Sequence, residues 1–133
     1  MQLKRLDHVN VRTANLAAMV DWYGDILGMR TGPRPPFPFG GAWLYCDGFP
    51  IVHLVEVAAE QKAIEPRIEH FAISGEGMAN FLAHLRVRKV AYKCSVTPGF
   101  DIRQVNIWDP DANHIHIDFG PGEEADLTDY DGR

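Results

Sequence analysis

One pattern of apolar, acidic and histidine residues occurs twice in the chain, at an offset of 62 residues. Residues 6–11 read Leu-Asp-His-Val-Asn-Val, and residues 68–73 read Ile-Glu-His-Phe-Ala-Ile. A second, shorter pattern, an apolar residue on each side of a histidine, occupies 52–54 and returns at 115–117. The two repeated patterns occur in the same order in each half of the chain and therefore indicate an internal duplication. No other feature of the sequence constrains the fold as strongly.

Each half of the chain predicts the same elements: a strand, a helix and three further strands. In the first half, apolar residues from Leu16 to Tyr23 recur at the spacing of one helix face (i, i+3, i+4, i+7). The same spacing occurs again 62 residues later. Thr13 or Asn15 is expected to cap this first helix, and Gly28 to end it. The predicted strands lie near 3–12, 29–31, 43–45, 51–57, 68–74, 91–97, 102–108 and 113–119, with the second helix at about 77–87. The fold class is therefore α+β, with two tandem βαβββ modules at about 3–58 and 67–119.

The composition is that of one ordinary globular domain of 133 residues, 46% hydrophobic and 23% charged. No run approaches the ~20 apolar residues that span a bilayer. The first residues also lack the apolar core of a signal peptide, so we expect a cytoplasmic protein without a membrane partner. Cys46 and Cys94 are isolated in the sequence and are expected to be free thiols.

The negative charge is concentrated at the C-terminal end. Residues 122–133 carry a net charge of −4 out of −5 for the whole chain. A nearly neutral remainder does not resemble the basic surface of a nucleic-acid-binding protein. We expect this acidic tail to be a solvated or loosely docked end; capping of the active site by Tyr130 is the alternative.

Four histidines are predicted to share one concave surface. Side chains alternate along a strand, so His8 shares a face with Asn10, and the apolar residues opposite them suit packing beneath the helices. The same reasoning applies to the other strands that carry histidines. Neutral imidazole is the commonest metal ligand and suits Zn, Fe, Ni or Cu. The predicted metal ligands are His8, His53, His70 and His116.

Residues of the same predicted face are candidates for substrate contact. Gln104 and Asn106 offer amide groups to a substrate, or equally serve as ordinary partnered amides of the interior. An aromatic wall, for which core packing is the alternative, is expected from Trp43, Tyr45 and Tyr92. The Pro-rich segment 32–41 is either a lid that carries two phenylalanines or a stiff connection or dimer contact. The predicted substrate pocket comprises Asn10, Phe37, Phe39, Trp43, Tyr45 and Tyr92.

Several local sequences resemble the vicinal oxygen chelate superfamily, the glyoxalase/bleomycin resistance protein/dioxygenase group. They are the Leu-Asp-His opening, Asp-Trp-Tyr-Gly-Asp-Ile-Leu-Gly at 21–28, Glu-His-Phe at 69–71 and Asp-Pro-Asp-Ala-Asn at 109–113. The resemblance covers about 3–119 and implies a single domain, 1–121, with a cup-shaped, half-barrel mixed sheet and helices on its outer face. It also implies a homodimer and a divalent metal (Fe, Mn, Zn or Ni) held by the first and last strands of each module, where the four histidines lie.

One position departs from the family pattern. Members commonly carry Glu three residues after the Asn of the Asp-Pro turn, where this chain has His116. The change removes the carboxylate that iron-dependent members use as a ligand and that glyoxalase-like members use as a base. Asp118 shares the face of His116, but its register is expected to place it too far from the metal. His114 has three possible roles: an extra metal ligand, a group that supports a ligand, or a proton carrier.

The resemblance implies a metal-dependent enzyme that polarises adjacent oxygens of a small molecule. Its reaction is that of a glyoxalase-like lyase or isomerase, or that of an extradiol-type, ring-cleaving dioxygenase, an oxidoreductase. The candidate catalytic residues are His114, Gln104 and Asn106. The alternative is a protein like the bleomycin resistance members, which sequesters a ligand without catalysis; a fosfomycin-resistance-type transferase is a third interpretation.

Overall fold

The structure, a computed structural model, describes residues 1–2, 4–60, 62 and 67–133. It divides the chain into two compact units, Met1–Ile64 and Glu65–Arg133. Each unit contains a four-stranded mixed sheet and one helix in the order β, α, β, β, β, which confirms the α+β class and the tandem βαβββ modules. The predicted start of the first strand and first module, Leu3, lies outside the described residues.

The first unit has its predicted elements, but its first strand, predicted near 3–12, begins only at Val9. These are β1 (Val9–Thr13), α1 (Leu16–Leu27), β2 (Arg30–Thr31), β3 (Gly41–Cys46) and β4 (Phe49–Glu56). The sheet order is β1-β4-β3-β2, with β1 parallel to β4 and the other pairs antiparallel. Gly28 ends α1 with a left-handed φ of 67°, and the N–H of Met29 donates to the carbonyl of Tyr23 at 3.1 Å. Asp47 and Gly48, with φ of 48° and 78°, form the turn between β3 and β4.

The second unit repeats this topology. Its elements are β5 (His70–Ser74), α2 (Met78–Val87), β6 (Lys93–Val96), β7 (Arg103–Trp108) and β8 (His114–Phe119). The order β5-β8-β7-β6 again places the first and last strands side by side and parallel. The duplicated histidines consequently fall on neighbouring strands or directly beside them: His53, His70 and His116 lie on β4, β5 and β8, and His8 directly precedes β1.

Each unit has its own apolar core. Burial of such side chains contributes roughly 1.5–3 kcal/mol each relative to exposure. Fully buried residues include Met19, Tyr23, Leu44, Val52 and Leu54 in the first unit, and Met78, Leu85, Val105, Ile107, Ile115 and Phe119 in the second. Because they alternate with the histidines along β4 and β8, they leave the imidazoles on the opposite sheet face.

A buried aspartate fixes the turn before β8. Asp109 is 5% exposed, and its carboxylate accepts hydrogen bonds from the N–H of Asp111 (3.0 Å) and of Asn113 (2.9 Å). The Asn113 amide also donates to it, at 2.9 and 3.1 Å. These bonds are typical of an Asp-initiated turn and start β8 at His114 in a defined register.

The acidic tail is docked on the second unit. The N–H of Tyr130 and that of Tyr92 donate to each other's carbonyls at 3.1 and 2.9 Å, and the Asp129 carboxylate accepts from the N–H of Cys94 at 2.8 Å. The Glu123 carboxylate accepts from the N–H groups of Gly77 and Met78, where α2 begins. The tail thereby covers the outer edge of β6 and supplies the anionic cap that α2 itself lacks.

Two further predictions concern membrane-spanning segments and the state of the cysteines. Among the described residues, no helix combines the length and apolar character that crossing a bilayer demands. Cys46 and Cys94 are free thiols, as predicted.

Candidate metal centre

Two histidines of the first unit stack on each other. The ring centroids of His8 and His53 lie 3.9 Å apart with their planes 14° from parallel. Asn10 pairs with His53 across β1 and β4, and His8 lies two residues before Asn10, directly ahead of β1, where its ring reaches that of His53. His53 is 8% exposed, and its Nε2 is buried without a hydrogen-bond partner among the described residues.

The second unit repeats this stack and adds a third imidazole. The rings of His70 and His116 lie 4.0 Å apart, 10° from parallel, and Ala72 pairs with His116 as Asn10 pairs with His53. His114 meets His116 edge-on at 4.7 Å and His70 at 5.5 Å. One nitrogen from each of the three rings lies within 4.8 Å of the others, so this histidine cluster can hold a metal ion.

A carboxylate outside the strands connects two of these rings. Glu69 accepts from Nδ1 of His70 at 2.5 Å through one oxygen and from Nδ1 of His114 at 2.6 Å through the other. In the first unit, Asp7 accepts from Nδ1 of His8 at 2.7 Å. A carboxylate on Nδ1 fixes the ring and leaves Nε2 for a metal, the arrangement found around metal-binding histidines. The duplication therefore preserves an acid–histidine pair and not only a histidine.

Both nitrogens of His114 are engaged. Its Nε2 lies 3.0 Å from Oδ1 of Asn106, and the Asn106 amide nitrogen donates to the carbonyl of Lys93, so Oδ1 is the atom that faces the ring. With Glu69 on Nδ1, both ring nitrogens face oxygen acceptors. His114 can ligate a metal only by releasing Asn106. The indole of Trp108 also stacks on this ring at 4.9 Å, 9° from parallel.

Gln104 lies against His116. Its amide nitrogen lies 3.1 Å from Nδ1 of His116 and 3.3 Å from the carboxylate of Asp118. Because a carboxylate accepts only, the amide nitrogen is the atom that faces both groups. Asp118 itself comes within 4.0 Å of Nδ1 of His116. The structure thus places the three predicted catalytic residues, His114, Gln104 and Asn106, against the histidines of the second unit.

Aromatic side chains extend the stack of the first unit. Trp43 pairs in register with His53, and the two rings stack 4.0 Å apart, 8° from parallel. Phe37 lies 6.5 Å from Trp43 and stacks on Phe39 at 5.1 Å. Both phenylalanines are more than 40% exposed, so they form an apolar surface beside the imidazoles.

The three other predicted pocket residues, Asn10, Tyr45 and Tyr92, do not belong to this aromatic stack. Asn10 is exposed on the histidine side of β1. The Tyr45 hydroxyl donates to the carbonyl of Pro33 at 2.7 Å, which ties the Pro-rich segment to β3. Tyr92 is 1% exposed and lies beneath the tail, with its ring 5.8 Å from that of Tyr130.

Burial favours the neutral imidazole at His53 and His116, and hydrogen bonds favour the ionised carboxylate at Glu69. Burial, followed by the nearby His8, lowers the pKa of His53. Burial, followed by His70 and His114, lowers the pKa of His116. Hydrogen bonds from His70 and His114 lower the pKa of Glu69. Metal ligation requires the neutral ring, so these directions suit a metal site.

A thiol mechanism does not fit the second unit. Burial raises the pKa of the Cys94 thiol to about 11, so the reactive thiolate is scarce at neutral pH. The imidazoles and their carboxylates are therefore the chemically competent groups of this unit.

The sequence analysis did not identify Glu69 or Trp108. The strand predicted near 68–74 would put Glu69 and His70 on opposite faces, but β5 begins at His70, so Glu69 lies outside the strand and reaches the ring. The sequence does carry a signal for Glu69, because an acid precedes the histidine in both copies of the repeat.

Comparison with known proteins gives consistent results. The model of the Glyoxalase/Bleomycin resistance protein/Dioxygenase superfamily matches residues 5–117. No curated protein matches the chain. Among solved structures, a glyoxalase family protein from Bacillus anthracis has a TM-score of 0.75 and 21% identity, over 90% of this chain and 98% of that one.

Two further solved structures show the breadth of this fold. A genomically encoded fosfomycin resistance protein from Listeria monocytogenes has a TM-score of 0.68 and 12% identity, covering 90% of this chain and 95% of its own. Glyoxalase I from Leishmania major has a TM-score of 0.65 and 20% identity, covering 90% and 88%. At these identities the likeness establishes the fold.

Proposed function

Because the chain belongs to the Glyoxalase/Bleomycin resistance protein/Dioxygenase superfamily, we propose that it is a metal-dependent enzyme acting on adjacent oxygens of a small molecule. The observation that carries the proposal is the grouping of His70, His114 and His116, with one nitrogen from each ring within 4.8 Å of the others. The predicted homodimer and cytoplasmic location stay predictions.

The residues fit a divalent ion. His70 has its Nδ1 on a carboxylate, and its Nε2 makes no hydrogen bond to the described residues, as a ligating imidazole requires. His116 is buried and its pKa is lowered, so it stays neutral. In the first unit, the unpartnered buried Nε2 of His53 is a costly arrangement unless a bound group satisfies it.

Proton transfer is the chemistry that this donor set favours. A bound divalent ion supplies Lewis acidity toward the substrate oxygens. The grouped residues are imidazoles, whereas the iron-dependent ring-cleaving sites use two histidines and a carboxylate. Gln104 orients His116, and Glu69 with Asn106 holds His114 at a fixed angle beside it; once Asn106 is released, Nε2 of His114 can carry a proton. We therefore place the reaction among lyases and isomerases.

Metal content tests this proposal. A chain purified without chelator or histidine tag is expected to retain a divalent metal, or to take one up stoichiometrically after dialysis, as measured by elemental analysis and calorimetry. A chain that neither retains nor binds Fe, Mn, Zn or Ni would contradict the proposal. Tight binding of a small ligand by such a chain would instead favour a sequestering protein.

Replacing Glu69 with glutamine is expected to weaken metal binding by about 10- to 100-fold, the effect of losing a partner of a ligating histidine. A glutamine amide accepts from only one Nδ1–H and turns an N–H toward the other ring. The measurement is a competition titration with a chromophoric chelator.

The matched control is Glu124→Gln, which removes the same charge from an exposed residue of the tail. It is expected to leave metal affinity unchanged. Equal affinities of the Glu69→Gln variant and the unaltered chain would show that Glu69 does not orient the ligands.

A further inference from the structure

Gln104 and Asp118 lie beside His116 on the histidine side of the second sheet, and we propose that together they fix which nitrogen of this imidazole carries its proton. Nδ1 of His116 is unprotonated and Nε2 is protonated, so a metal can use the ring only after the Gln104 amide has left its position. The proton position follows from hydrogen bonds within the second unit alone. Only its consequence for a metal rests on the proposed function.

Strand register brings these groups together. Gln104 pairs with Asp118 across β7 and β8, and with Ser95 across β7 and β6. His116 lies two residues before Asp118 on β8 and therefore on the same sheet face. The side chain of His116 is 11% exposed and that of Asp118 is 27% exposed. Hydrogen bonds between these side chains are thus partly shielded from water.

The Asp118 carboxylate fixes the direction of the Gln104 amide. A carboxylate accepts only, so the atom of Gln104 that lies 3.3 Å from it is the amide nitrogen. This nitrogen has two hydrogens, and the second is available to Nδ1 of His116, 3.1 Å away. A ring nitrogen that accepts an N–H uses its lone pair and carries no proton. The proton of the neutral imidazole is therefore on Nε2.

Hydrogen bonds from β6 impose the same direction. The carbonyl of Lys93 accepts only, so the Asn106 atom that lies 3.1 Å from it is the amide nitrogen. This nitrogen also donates to the Ser95 hydroxyl at 3.4 Å, and that hydroxyl donates to the carbonyl oxygen of Gln104 at 3.3 Å. The Gln104 oxygen is thereby engaged on the β6 side. Its nitrogen is left for β8, which is the orientation that the carboxylate requires.

The ring that stacks on His116 has the opposite arrangement. Nδ1 of His70 donates to the Glu69 carboxylate, which leaves a lone pair on Nε2 of His70. The two stacked rings therefore present different groups, a lone pair on His70 and an N–H on His116. Nε2 of His116 makes no hydrogen bond to the described residues, so its N–H is available to a bound molecule.

A metal ion has to overcome this arrangement at His116. Ligation through Nε2 moves the proton to Nδ1, where it meets the Gln104 amide nitrogen, and ligation through Nδ1 displaces that nitrogen. In both cases the Gln104 amide has to leave its position. Asp118 opposes the turn, because the turned amide would direct its oxygen at the carboxylate. Asp118 lies outside the histidine cluster and acts on it through Gln104.

Nuclear magnetic resonance tests the proton position. The full chain is labelled with ¹⁵N, freed of metal and held at pH 8, above the ordinary imidazole pKa of about 6.5. Long-range ¹H–¹⁵N spectra distinguish a protonated ring nitrogen from an unprotonated one. We expect the Nε2-protonated form of His116 in at least about 10-fold excess, the ratio that one hydrogen bond sets. We also expect a scalar coupling across the hydrogen bond between Nε2 of Gln104 and Nδ1 of His116. His70 is the reference in the same spectrum, with its proton on Nδ1.

Gln104→Glu is expected to reverse this ratio, because a carboxylate accepts from Nδ1–H as Glu69 does from His70. The same substitution at the exposed Gln2 is the matched control and is expected to leave the ratio unchanged. A proton on Nδ1 of His116 in the unaltered chain overturns the proposal. So does an unchanged ratio in a Gln104→Glu variant that circular dichroism shows to be folded. If that variant is unfolded, the coupling in the unaltered chain decides.

Addition of Zn²⁺ separates this inference from the proposed function. Zn²⁺ is expected to abolish the coupling between Gln104 and His116, because the amide leaves its position. A coupling in a chain that binds no metal supports the proton position, and the proposed function then fails alone. A coupling that persists while Zn²⁺ shifts the resonances of His70 shows that the amide does not oppose the metal. That result overturns the role of Asp118 and leaves the proposed function standing.

Discussion

Replacing His70 with alanine is expected to lower the affinity for a divalent metal by at least about 100-fold, more than the loss of a supporting residue produces. The variant loses an imidazole from the histidine cluster and also the stack on His116 at 4.0 Å. It leaves the Glu69 carboxylate with His114 as its imidazole partner. The same loss is expected for His116→Ala, because both rings contribute a nitrogen to the cluster.

The measurement is a metal titration at pH 7.5 or above, where imidazole is neutral and ligand protonation does not compete. His84→Ala is the control, because it removes a histidine that lies on α2. Unchanged affinity in both His70→Ala and His116→Ala would remove the second unit from the metal site. The affinity of His53→Ala then decides whether the first unit supplies ligands, as the sequence predicts.

The duplicated sequence was sufficient to predict the topology of each unit. Alternation along β4 and β8 placed His53 and His116 opposite the buried apolar residues. Only one register of each strand buries those apolar residues, so the face of each histidine is fixed. The stack of His70 on His116 follows from that register, whereas His8 reaches His53 from a position directly ahead of β1. The joint action of all four histidines on one ion stays a prediction, since each pair is described within its own unit.

Interactions that depend on side-chain reach or on loop path were beyond the sequence pattern. Glu69 reaches His70 and His114 because it precedes β5 and is free of strand alternation. Composition shows that the tail is negatively charged. It does not show that the Glu123 carboxylate accepts hydrogen bonds from two backbone N–H groups at the start of α2. Such contacts join residues far apart in sequence, and only the folded backbone brings them together.

Gly41→Ala is expected to destabilise the protein by about 2–4 kcal/mol, the combined magnitude of a strained backbone and an overpacked contact. An added Cβ would lie 2.2 Å from the carbonyl oxygen of Leu54, a backbone atom of β4 that cannot turn aside as a flexible side chain can. The φ of 156° adds strain for a residue with a side chain. The same Cβ would lie 3.3 Å from a terminal nitrogen of Arg34, which as the end of a flexible side chain can shift by the small distance required.

Thermal and urea denaturation measure the loss, and Gly120→Ala is the matched control. A Cβ at Gly120 would meet nothing within 4 Å, so this variant is expected to be as stable as the unaltered chain. If Gly41→Ala unfolds at the same urea concentration as Gly120→Ala, the close approach of β3 to Leu54 is absent in solution.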